Sequence, residues 1–309
     1  MSGLDAGSPQ GVLRRGWSAA VGDYAIAGGW TLRGEALMVG DTEGGVYAFH
    51  GRSGAAGWVE NVAWSQDGQR LAASCSRQVR AYDVDGAEVW RSEDHPSTVS
   101  AIAWSSAGEL ATACYGRATF FDASTGELRQ KLEWQGSLVS LVLSPDGGVV
   151  ACGSQDNTVH FWRRSTEEDS MMSGYPTKPS ALAFDDTGTL LATGGGEAIT
   201  VWSFHGRGPE GTEPGVLEFH RQPVTALTFA PGAMRLASGG RDGAVVVWSL
   251  RRDGEGGPIG GAAVASAVAE LYWRPDGRGL AALDALGGVT VWRRASKGRT
   301  ARGHPGPVR

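Results

Sequence analysis

The stretch Pro223-Val-Thr-Ala-Leu-Thr-Phe229, Ala230-Pro-Gly-Ala233, Met234-Arg-Leu-Ala-Ser-Gly239, Gly240-Arg-Asp-Gly243, Ala244-Val-Val-Val-Trp248 decides the fold. The first segment alternates as a strand, Pro-Gly turns the chain, the second segment is another strand, Asp-Gly turns it again, and the third runs apolar to a tryptophan. Three antiparallel strands in 26 residues leave room for a fourth before the pattern restarts.

The pattern does restart. Third strands end at Phe49, Tyr82, Phe121, Trp162, Trp202, Trp248 and Trp292, with gaps of 33, 39, 41, 40, 46 and 44 residues. First strands end at Trp30, Trp64, Trp104, Leu143, Phe184, Phe229 and Trp273. A glycine follows each of them four residues later, at Gly34, Gly68, Gly108, Gly147, Gly188, Gly232 and Gly277. Three of these turns read Asp-Gly, which suits a hairpin needing left-handed backbone angles. A period of this size marks one supersecondary unit copied many times. Third strands such as Ile199-Thr-Val-Trp202 are apolar at nearly every position, so each small sheet is expected to be covered on both faces by its neighbours, in a closed radial stack.

Composition narrows the function. The 309 residues include 48 glycines, roughly twice the usual share of about 7%, and carry a formal net charge of −5. There is no global basic field for nucleic acid or acidic lipid; Arg251-Arg252, Arg293-Arg294 and the stretch Lys297 to Arg309 read as solvated charge. Cys75, Cys114 and Cys152 lie in strand-like runs without Cys-x-x-Cys spacing, which points to buried free thiols. With no signal-like start and no apolar run of 18 residues, the expectation is a cytoplasmic, monomeric ring with no membrane partner.

No nucleophile elbow, zinc-protease helix, phosphate loop or acidic calcium loop is present, and the six histidines do not cluster. The expectation is therefore no catalytic residue, metal or cofactor. The rival reading is a small-molecule, metal or hydrolytic site in the central channel, for which the first strands supply mainly Ala, Ser, Thr, Val and Leu.

The Ser144 to Gly147 turn, the run Ala237-Ser-Gly-Gly-Arg-Asp-Gly243 and the following Val-Val-Val-Trp248 resemble the WD-repeat family over about residues 12 to 292. The resemblance implies an all-β, seven-bladed β-propeller of four-stranded antiparallel blades spanning 11–295, with a flexible tail at 1–10 and a basic one at 296–309. It also implies a structural hydrogen-bond network of His, Ser or Thr, Asp and Trp. Here His220, Ser238, Asp242 and Trp248 fit it. Asp156 and Trp162 stand beside Gln135 and Cys152 where His and Ser belong, while His95 and Thr112 lack the Asp, and that copy's second turn is one residue shorter. The last sheet needs an outer strand, supplied by Val12 to Trp17 or by Gly298 to Arg302; the spacing of Trp17 from Trp30 favours the former.

By the same resemblance the chain is a non-catalytic scaffold that binds a partner protein or peptide on one face of the ring. That face carries the starts of the first strands and the turns between second and third strands. Residues there are Tyr24, Thr42, Trp58, Glu60, Thr98, Tyr115, Gln155, Lys178 and Arg241. Trp58, Tyr115 and Arg241 are of the types most enriched at interface hot spots.

Overall fold

A computed structural model describes residues 13–22, 25–30, 37–41, 45–48, 51–54, 61–65, 67–206 and 208–294. Among them the strands form six four-stranded antiparallel sheets and one three-stranded sheet. In chain order the sheets begin with Ala25–Trp30, Asn61–Trp64, Ala101–Trp104, Val142–Leu143, Ala181–Phe184, Val224–Phe229 and Val268–Trp273. We number them one to seven. Every first strand thus ends on the aromatic or leucine that the repeat picks out.

The expectation of seven four-stranded blades is met by six. In sheet three the segment Glu109–Asp122 is a single strand of 14 residues. It doubles back at Tyr115-Gly116, where Gly116 takes φ +88° and the Thr112 hydroxyl reaches the Thr119 carbonyl at 3.4 Å. The turn expected there is so short that no residue outside the strand separates its two arms.

Turn chemistry differs in one detail. In Ser65 to Gly68 and Ser144 to Gly147 the glycine N–H closes onto the serine carbonyl, at 2.9 and 2.8 Å. Among the described residues of these turns only the glycine is left-handed, with φ +68° and +70°. The aspartate instead accepts from the hydroxyl of Ser65 or Ser144, 2.6 Å in both cases, and from the amide beyond the glycine. The turn is an Asx-type cap on a four-residue bend, not a two-residue left-handed hairpin.

The outer strand of sheet seven is Leu13–Ala20, paired antiparallel with Gly288–Arg294. The N-terminal alternative therefore closes this sheet. The first strands touch in chain order from sheet one to sheet seven, and that of sheet seven touches that of sheet one. The core is accordingly divided, with one apolar cluster at each junction between neighbouring sheets. Burial is most complete on the second strands: every residue of Leu190–Gly194 and of Gly279–Asp284 is buried. They have a strand on each edge and a sheet on each face, whereas third strands lie nearer the rim.

Two sets of polar latches join the sheets at their first strands. Where those strands begin, Asn61 Nδ2 donates to Ser100 O (3.3 Å), Ser100 Oγ to Leu138 O (2.6 Å), Ser140 Oγ to Pro179 O (2.7 Å) and Thr225 Oγ1 to Val268 O (2.5 Å). Each bond runs forward to the next sheet. Where the strands end, indole N–H groups donate backward: Trp104 to Ala63 O (2.8 Å), Trp273 to Thr228 O (3.2 Å) and Trp30 to Tyr272 O (3.1 Å). These three first-strand tryptophans are thus packing residues with a polar handle, the usual condition for burying an indole, whereas the Nε1 of Trp64 is buried without a hydrogen-bond partner. Close approach at the forward latch requires glycine: a Cβ on Gly153 would lie 1.8 Å from Pro179 O, and one on Gly239 2.4 Å from Val268 Cγ1.

Candidate upper-face binding site

The upper face is the one on which the first strands begin. Its scaffold is clearest in sheet six, where Trp248 Nε1 donates to Ser238 Oγ (2.8 Å), Ser238 Oγ lies 2.8 Å from His220 Nε2, and His220 Nδ1 lies 3.3 Å from Asp242 Oδ1. A carboxylate can only accept, so Nδ1 carries the proton and Nε2 accepts from the serine hydroxyl. The Asp242 carboxylate also accepts from the Arg221 and Ala244 amides, both at 3.0 Å. Burial pushes the His220 imidazole below its usual range despite Asp242. At Asp242 burial opposes the charge, but the two amides and His220 outweigh it and hold the carboxyl low. The four side chains tie the start of the first strand to the second turn and the third strand.

Other sheets use substitutes. In sheet three His95 Nε2 meets Thr112 Oγ1 at 3.0 Å, and Nδ1 meets the Arg77 carbonyl of sheet two at 3.0 Å in place of an aspartate. Phe121 packs edge-on to His95, with centroids 5.7 Å apart, where the tryptophan would stand. In sheet five a network absent from the sequence reading is built on Tyr175, whose Oη accepts from Thr193 Oγ1 (3.0 Å) and Trp202 Nε1 (2.9 Å). The signal was available: the same 45 positions separate Phe184 from Phe229, Thr193 from Ser238 and Tyr175 from His220. In sheet four Gln135 lies at the surface, and buried His160 stacks on Trp134 with ring centroids 3.4 Å apart. Cys152 faces His160 in the strand register.

These networks hold up the turns that carry the candidate contacts. Arg241 N donates to Pro223 O (2.9 Å), Gln155 N to Ser137 O (2.9 Å) and Tyr115 N to Ser97 Oγ (2.9 Å). Each second turn is thereby laced to the start of a first strand. Thr98, Tyr115, Gln155, Lys178 and Arg241 are all exposed, Tyr115 at 58%. Lys178 and Arg241 line one hollow of about 450 Å³, together with Asn157, Pro176 and Pro223. Thr98 and Tyr115 form a second patch on either side of the Ser97 bond. Gln155 stands two residues from Asn157, in the same turn. Tyr24, Thr42, Trp58 and Glu60 lie outside the described residues.

The channel-side strands hold two residues that the composition of the first strands does not suggest. Burial raises the Glu270 carboxyl to about 8, and pushes up the Tyr272 phenol, whose Oη accepts the Gly28 amide at 2.6 Å. Among the described residues no three His, Cys, Asp or Glu side chains converge as a metal site. Cys114 and Cys152 are buried and Cys75 half-buried, and none of the three is in a disulfide.

The family model described as "WD domain, G-beta repeat" matches residues 46–83, 126–163 and 211–249. Each matched segment closes one residue beyond a third-strand aromatic, Tyr82, Trp162 or Trp248. Over 154 residues the chain is 29% identical to "Cell division cycle 20.1, cofactor of APC complex" of Arabidopsis thaliana, covering 47% of this chain and 32% of that one. Over 259 residues it is 25% identical to "Actin-interacting protein 1" of Caenorhabditis elegans, covering 78% and 42%. A match to "Transducin beta-like protein 3" of Mus musculus is 28% identical and covers 45% and 23%. The chain thus spans between about a quarter and two fifths of the length of these relatives. A chain in "Crystal Structure of Mitotic Checkpoint Complex" superposes with a TM-score of 0.80 at 21% identity, over 95% of this chain and 94% of that one, which shows the shared fold. Repeat period, propeller architecture, sheet-six network and family match agree: the chain carries WD repeats, matched at three segments, on a β-propeller fold.

Proposed function

We propose that the chain is a non-catalytic interaction scaffold that holds a partner protein or peptide on its upper face. The observation that carries this is the hollow at sheets five and six. Lys178 and Arg241 flank it, are exposed, and have no ion-pair partner among the described residues, so anionic groups of a partner fit them. Thr98 and Tyr115 extend the contact over sheet three, Tyr115 being a rigid aromatic of the type enriched in hot spots. On this reading the three-stranded sheet is the seventh blade of a monomeric, cytoplasmic ring, flanked by the tails 1–10 and 296–309. The names of the relatives, which include a cofactor of a complex and an actin-interacting protein, support a binding role.

The test is comparative capture from the native cell with wild type, K178E/R241E and the lower-face variant R252E. Partners held by wild type and R252E but lost by K178E/R241E, at unchanged melting temperature, are expected. Retention of every partner by K178E/R241E sinks the reading.

A small-molecule site in the channel is the second reading, favoured by Glu270 and Tyr272 on one strand. A thermal-shift screen with metabolites, in which stabilisation by a compound disappears in E270Q, is the result that would support it.

A further inference from the structure

A second groove, of about 400 Å³, lies on the side of the molecule between sheets two and three. Its cause is a mismatch in strand length. The outer strand of sheet two, Glu88–Arg91, has four residues, whereas that of sheet three, Leu128–Ser137, has ten. The short strand leaves part of the facing side of sheet three uncovered. That side carries Arg117, Thr119 and Phe121 on one strand and Lys131 on the next, with Thr119 and Lys131 directly opposite in register. Trp90 packs against Phe121 below, at 6.0 Å between centroids, and donates its indole N–H to Ala123 O at 2.9 Å. The floor is therefore rigid.

The polar groups of the groove are unevenly committed. Arg91 is held by Glu88 at 2.8 Å, and Asp94 by Gln78 at 3.0 Å and Arg77 at 3.9 Å. Arg117 reaches only the exposed Glu133, at 3.8 Å, and its Nε is enclosed without a hydrogen bond. Lys131 is exposed and has no ion-pair partner among the described residues. Glu93 is the one acidic group on the wall that lacks a cation of its own. Thr119 is 3% exposed, lines the groove, and its Oγ1 has no hydrogen-bond partner. Buried hydroxyls are normally satisfied, so one left open on a groove wall between two cations marks a place for an acceptor.

We propose that this groove receives a carboxylate-bearing, extended acidic segment of a partner protein. Arg117 and Lys131 supply the charge, the Thr119 hydroxyl donates to the carboxylate, and Phe121 with Leu128 packs against the segment's aliphatic carbons. The site is separate from the upper-face hollow and stands or falls without it.

The test is fluorescence anisotropy with a labelled hexaglutamate peptide, using wild type, K131E, T119V and the lower-face control R252E, at about 50 mM salt to limit screening. Binding by wild type and R252E, weakened about tenfold or more in K131E and several-fold in T119V, is the expected result. T119V keeps side-chain volume and removes an unpaired hydroxyl, so its melting temperature should match or exceed that of wild type. The proposal is overturned by absence of binding to wild type, by equal binding to K131E, or by loss of binding in R252E alone. A phosphoserine peptide that binds where hexaglutamate does not would overturn the carboxylate and assign a phosphate instead.

Discussion

At the scale of the residue, Ser238 is the joint of the sheet-six network, because its one oxygen serves both Trp248 and His220. The change S238A leaves an indole N–H and an imidazole nitrogen buried and unpaired. It should destabilise by about 2–4 kcal/mol, taking about 1–3 kcal/mol for each such group with partial relaxation. Chemical denaturation measures this, and a loss below about 0.5 kcal/mol would show that the network adds little.

Titration gives a second prediction at this scale. Burial lowers His95, His160 and His220, so their neutral forms belong to the folded state. The stability this allows is complete above the ordinary histidine value of 6.5 and is lost as pH falls below it. Glu270 has the opposite sign: its folded value of about 8 exceeds its ordinary 4.5, so stability is lost as pH rises from 4.5 through 8. In melting-temperature scans E270Q should gain over wild type at pH 8 and show little difference near pH 4.5. A constant offset across that range contradicts the assignment.

At the scale of the element, the spacing of aromatics makes strand ends legible because a large ring must stop where the neighbouring sheet covers it. Positive-φ turn glycines are legible for a similar reason, since few residues other than glycine tolerate that conformation. Sheet three was less legible: a turn shortened by one residue looks like a lost aspartate, and only the folded backbone shows the two arms merged. The Tyr175 network escaped because a search for histidine does not find a phenol doing the work of an imidazole.

The forward latches also escaped. They join side chains to backbone carbonyls some 40 residues away, and backbone acceptors leave no mark in sequence. Gly153 tests them directly. G153A drives a methyl into the Pro179 carbonyl and should lower the melting temperature by several degrees, beyond the effect of A151G within the same strand. Equal effects would mean that the approach is looser than 1.8 Å implies.

At the scale of the whole molecule, closure depends on pairing of the strand Leu13–Ala20 with Gly288–Arg294. Each family repeat supplies the outer strand of one sheet and the first three of the next, so the strand ahead of the first repeat is needed by the last sheet. Deleting residues 1–20 exposes the edge of Gly288–Arg294 and removes a junction from a stack whose members are stable only together. A large fall in melting temperature with loss of a single cooperative transition is expected. An unchanged melt would rule out the N-terminal strap.

On the proposed reading, the upper-face turns, which stand above repeat aromatics packed between the sheets, meet one partner. A photo-crosslinking residue placed at Lys178 or Arg241, with Met234 on the lower face as control, tests this most directly in the native cell. Discrete protein adducts are expected from positions 178 and 241 and none from 234; adducts from 234 alone would overturn the upper-face site.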